Sequence, residues 1–72
     1  MALKDQDIQG LQGMVDKWSQ IPESDYGRYK AKDGNWYEIV NTQDGTTEAI
    51  AVAPVVDGKT DYSQTAIVVA GT

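Results

Sequence analysis

A small α+β domain, with one N-terminal helix packed on a three- to four-stranded antiparallel β-meander, is the fold this sequence predicts. Three observations carry it. Apolar residues recur at helical spacing between positions 5 and 20. From Tyr26 onward the period drops to two, as in strands. Asp-Gly pairs at 33–34, 44–45 and 57–58 then punctuate the second part at hairpin intervals. All 72 residues fit one small domain, with the helix at about 5–20 and the sheet at about 26–70.

The helix rests on Ile8, Leu11, Val15 and Trp18, spaced to share one face. Asp5 or Asp7 suits its start and Lys17 its end, where the helix dipole favours an acid and a base respectively. Gly10 and Gly13 each cost about 1 kcal/mol relative to alanine, so the helix depends on docking its apolar face. Pro22 closes it near Ile21.

In the first strand Arg28, Lys30 and Lys32 alternate with Tyr29 and Ala31, which puts the three bases on one face. The return strand, 35–41, sets Trp36, Glu38 and Val40 against Tyr37 and Ile39. A third strand, about 47–55, has an alanine face (Ala49, Ala51, Ala53) and an aliphatic face (Ile50, Val52). Close packing on the alanines is expected, with the helix as the occupant. Pro54 is expected at this strand's end or edge, where its missing amide does least harm. The last strand, 65–70, contains the compact apolar run Ala66–Ala70 and reads as fully buried. The expected core is Leu11, Val15, Trp18, Ile21, Trp36, Ile39, Ile50, Val52 and Ile67 to Val69.

Composition bounds the chemistry. With no cysteine there is no disulfide and no thiolate ligand. With no histidine, the usual general base and the commonest transition-metal ligand are both missing. A net charge of −5 disfavours nucleic acid and anionic membrane surfaces as partners. No apolar stretch reaches the length of a membrane span, and the first residues lack the hydrophobic segment of a signal peptide.

Four sets of residues were candidates for chemistry. Ser19, Ser24 and Ser63 have no nucleophile-elbow context, so the chain by itself is expected to be inactive as a serine hydrolase. Glu38 and Glu48 fall on neighbouring strands, as a two-carboxylate glycosidase requires, although two solvated charges are the simpler reading. Asp57, Asp61 and Ser63 offer oxygens without the alternate spacing of a calcium loop, and Asp57-Gly58 reads as a turn. The bases of the first strand, interleaved with Tyr26, Tyr29, Trp36 and Tyr37, resemble a single-strand nucleic-acid platform. A solvated strand face over core aromatics explains them more simply.

The ending Ala66-Ile67-Val68-Val69-Ala70-Gly71-Thr72 resembles a strand near the start of lipase-like α/β-hydrolases, the group that includes the class 3 lipases. In that family an apolar strand ends in Gly-Thr or Gly-Ser. The preceding order is also similar to the front portion of bacterial members: a helix, a Tyr-rich hairpin, Ala-Ile-Ala-Val-Ala-Pro, then Asp-Tyr-Ser-Gln. The resemblance implies that Thr72 stands where the family places an oxyanion-hole residue, stabilising charge on an ester carbonyl. Val69-Ala70 departs from the commoner Phe-Arg of the family. The family's serine elbow, acid and histidine lie further along its chains and have no counterpart here. The chain is thus expected to be a non-catalytic N-terminal scaffold of a lipase-like hydrolase, without cofactor or metal, whose partner is the remainder of the parent chain. The alternative is a self-contained structural or protein-binding module whose partner is unknown.

Overall fold

The computed structural model describes residues 5–70, with side chains from Gln9 onward. Thr72 and the Ile8 side chain lie outside the described residues. The fold is α+β with an antiparallel sheet. The single helix expected over 5–20 is instead two short ones, α1 (Asp5–Gln12) and α2 (Val15–Trp18). The break falls at Gly13-Met14, where the Met14 amide donates to Leu11 O at 2.9 Å in a tighter turn. Glycine's low helix propensity makes this the weakest point of the segment. The tighter turn puts Met14 inside as well, beside the spaced residues Leu11, Val15 and Trp18.

The sheet has five strands: β1 (Arg28–Lys30), β2 (Trp36–Gln43), β3 (Ala49–Val56), β4 (Lys59–Thr60) and β5 (Ala66–Val69). The first four follow one another as an antiparallel meander, and the last strand, β5, joins the same sheet by returning to pair with β3. β5 runs beside Ala49–Val52 and β4 beside Val55–Val56. Ala70 N donates to Glu48 O at 2.8 Å, so alternate residues of β3 from Glu48 direct their backbone groups to this edge. Pro54 is one of them. It sits inside the strand, at the junction where the neighbour changes from β5 to β4, and its carbonyl accepts from Asp61 N at 2.8 Å. The missing proline amide therefore faces a gap between partners.

Two of the connections between strands are tight glycine turns. Gly34 N donates to Ala31 O and Ala31 N to Asn35 O, with Gly34 at φ 87°. This is a type I turn followed by a left-handed glycine, the longer hairpin form. Between β3 and β4, Asp57 and Gly58 both have positive φ, 52° and 79°, as a two-residue type I′ hairpin requires.

Two layers result. The inner face of the sheet contributes Tyr37, Ile39, Ile50, Val52 and Val68 to the same buried cluster as Leu11, Met14, Val15 and Trp18. Trp18 lies edge-on to Tyr37 and tilted to Tyr29, with ring centres 6.5 and 6.1 Å away. Val40 is a bulge: Ile39 pairs with Val52 and Asn41 with Ala51, leaving Val40 without an opposite residue. The extra residue resets the alternation, so Thr42 pairs with Ile50 on the inner face.

The outer face carries Trp36 and Glu38 of β2, the β3 alanines, and Ile67 and Val69 of β5. The helical residues join the Ile50–Val52 face, not the alanine face where the helix was expected. Trp36, Ile67 and Val69, expected in the core, are 50%, 75% and 48% exposed. The apolar run of β5 predicts burial on both faces, whereas β5 is a lateral strand of the sheet whose outer face meets no second layer.

Candidate functional site

A cluster of polar contacts lies on the outer face, where β1, β2 and the β4 region meet. Cross-strand register places Arg28 opposite Glu38 and Lys30 opposite Trp36. Arg28 Nε stands 3.7 Å from Glu38 Oε1, and its Nη1 donates to Gly58 O at 3.0 Å. Thr60 Oγ1 donates to Glu38 Oε1 at 2.7 Å, and the Tyr62 hydroxyl donates to Oε2. Tyr62 begins a 3₁₀ turn, Tyr62–Gln64, that the Asp61 side chain caps by accepting from Ser63 N at 3.1 Å.

Glu38 is thus a carboxylate fixed from three sides. The Tyr62 hydrogen bond, then that from Thr60, hold its carboxyl below the usual glutamate range against an opposing desolvation effect, and Arg28 adds attraction. The same bond raises Tyr62 above the usual phenol value. Glu38 is therefore ionised at neutral pH and acts as an acceptor, which does not suit it to donate a proton as a general acid. Its side chain keeps 26% exposure, so solvent-facing lone pairs remain.

Glu48 lies elsewhere. It precedes β3, five residues before Ala53, the residue opposite Glu38. That separation is about 16 Å along a strand, beyond the reach of a two-carboxylate mechanism. Glu48 meets Asp16 of α2 instead: a shared hydrogen bond, desolvation and the Asp16 charge raise its carboxyl above the usual range.

The remaining candidates resolve into local structure. Ser19 is buried at the end of α2 with its hydroxyl unpartnered, and Ser24 is exposed. Ser63 and Gln64 hydrogen-bond Asp61, which lowers the Asp61 carboxyl. Asp57 is a turn residue. Lys32 lies past the end of β1, and its Nζ would be 3.4 Å from a Cβ built on Gly13, so the three bases do not form one platform. Among the described residues, no three His, Cys, Asp or Glu side chains converge as metal ligands. No described helix is long and apolar enough to cross a membrane.

At the far end of the same face is a shallow cavity of about 280 Å³. Ala49, Ala51 and Ile67 line it along with Asn41 and Gln43.

Sequence reading missed Thr60 and Tyr62, which lie 22 and 24 residues from Glu38. Only the β3–β4 reversal brings them together, and no short-range spacing signals it. No family model, curated protein or solved structure matches the chain.

Proposed function

We propose that this chain is a scaffold segment of a lipase-like hydrolase, non-catalytic by itself, whose outer layer and further strands come from the rest of a parent chain. The observation that supports this reading is β5. Its outward side chains, Ile67 and Val69, are exposed and apolar, and no charge or proline guards its free edge. Lateral strands that face solvent normally carry such guards, whereas strands interior to a larger sheet do not. The half-buried alanines beside it, Ala49 and Ala51, fit a sheet that a helix approaches closely, as in doubly covered hydrolase sheets. The Gly71-Thr72 motif would then stand at the strand's end, with Thr72 at the oxyanion hole.

The test reads the parent gene beyond Thr72 and assays the 72-residue chain with a short-chain nitrophenyl ester. A Gly-x-Ser-x-Gly elbow within the following hundred or so codons, with no turnover by the chain alone, is the expected result. A stop codon directly after Thr72, or turnover above buffer, overturns the reading.

A second reading, a self-contained binding module, draws support from Trp36 and Tyr62. Both are large rings held at the surface of a molecule whose core is small.

A further inference from the structure

Trp36 and Glu38 sit two residues apart on the same strand face, a spacing of about 7 Å. Trp36 is half exposed and Tyr62 is 58% exposed. Between them the Glu38 carboxylate is oriented by Thr60, Tyr62 and Arg28, with lone pairs still open to solvent. Lys30, directly across from Trp36, makes no hydrogen bond or ion pair among the described residues, so its ammonium group is available as a donor. The face therefore offers a flat aromatic surface, a fixed charged acceptor, and an ammonium donor beside it.

We infer that this face binds a pyranose ring of an oligosaccharide, with Trp36 stacked on the ring's apolar face and Glu38 accepting hydrogen bonds from its hydroxyls. A sugar ring has an apolar face bordered by hydroxyls that both donate and accept. Carboxylate acceptors and ammonium donors beside an aromatic plane complement that pattern. A nucleic-acid strand fits less well, because an ionised carboxylate at the centre repels phosphate and the chain carries a net charge of −5. A protein partner also fits less well, because apart from the two rings the patch is polar and lacks the apolar centre of a standard interface. The inference does not depend on the hydrolase reading, since none of these residues belongs to β5.

The experiment is an NMR titration of the ¹⁵N-labelled chain with cellohexaose, with the N-acetylglucosamine tetramer, and with a single-stranded oligothymidylate. The expected result is saturable shifts with at least one sugar, centred on Arg28, Lys30, Trp36 and Glu38. Trp36→Ala should weaken binding at least about tenfold and Trp36→Tyr should restore most of it. Unchanged amide positions in the inner layer of each variant verify the fold. Glu38→Gln should weaken the same binding about threefold or more, through loss of the charged acceptor. Absence of saturable shifts with either sugar up to about 10 mM overturns the proposal. So does sugar binding that Trp36→Ala leaves intact, or tighter binding of the oligothymidylate on the same residues.

Discussion

The Tyr26 hydroxyl accepts a hydrogen bond from the Thr42 amide at 2.9 Å and meets Thr42 Oγ1 at 2.8 Å. Thr42 Oγ1 in turn donates to Ile21 O at 3.1 Å, so one threonine links the segment after α2 to the strand beyond the bulge. Tyr26→Phe keeps the ring and removes the hydroxyl, leaving the Thr42 amide with Asn41 Oδ1, at 2.9 Å, as its acceptor. We expect a loss of about 0.5–1.5 kcal/mol, read as a lower urea midpoint at an unchanged slope. A slope change would mean that the bulge had rearranged.

Gly10 lies inside α1, and the nearest side chain a Cβ there would meet is Asp33, at 3.5–3.6 Å, which is ordinary contact. Gly13 would meet the flexible end of Lys32 and its own helix at 3.4–3.6 Å, also without positive φ. Alanine at either position should stabilise by about 0.5–1 kcal/mol and increase the helical circular-dichroism signal. Destabilisation by Gly13→Ala alone would show that the break between the two helices requires glycine.

The Glu38–Tyr62 bond is a pH-dependent clasp with two limits. Glu38 titrates below its ordinary value of 4.5 in the folded chain, so the fold gains from it above that range and loses the gain as pH falls through the lowered value. Tyr62 titrates above its ordinary value of 10.0, so that contribution is present below 10.0 and is lost as pH rises through the raised value. Tyr62→Phe should flatten both limbs of the stability profile measured by thermal unfolding. Limbs that survive the substitution would assign them to other groups.

Glu48 carries the opposite sign. Its folded-state value is raised beside Asp16, so its contribution is greatest at low pH and is lost as pH climbs through that raised value. Asp16→Asn removes the like charge. Its thermal midpoint should exceed the parent's at neutral pH and low salt, and the difference should shrink as salt is added. No difference at low salt would mean that the two side chains swing apart.

Ile67 is 75% exposed, so Ile67→Lys should leave the stability of the isolated chain within about 0.5 kcal/mol. It also places a charge on the free edge, and should reduce any self-association seen by sedimentation at high concentration. Under the scaffold proposal the same substitution in the full parent chain should be strongly destabilising, because the position would be covered. Equal tolerance in both settings counts against that proposal.

Much of the fold was legible because period and turn chemistry act locally. Leu11, Val15 and Trp18 announce a helical face, and Tyr37, Ile39, Ile50 and Val52 announce the inner side of a sheet; all are buried. The Asp-Gly pairs mark the reversals around Gly34, Gly45 and Gly58, each at positive φ. What was not legible depends on a third dimension. The bulge at Val40 inverts the alternation after Ile39, and period-two counting carries no signal for an inserted residue. Pro54 looked like a strand terminator because its tolerance inside β3 depends on two separate strands sharing one edge. Trp36 was assigned to the core on hydrophobicity, although its own alternation with Tyr37 already put it on the other face. At the candidate site, Arg28 and Glu38 were readable as strand residues, but their convergence with Thr60 and Tyr62 required the return of the chain past Gly58.

Burial sets the two tryptophans apart, and they report on different events. Trp18 is 4% exposed and ringed by tyrosines, so its emission should shift to the red only when the molecule unfolds. Trp36 faces water already, and should be quenched by acrylamide in the native state. Replacing one indole at a time with phenylalanine therefore yields two single-tryptophan proteins, one a gauge of folding and the other a gauge of occupancy on the open face, from a chain that needs no external label.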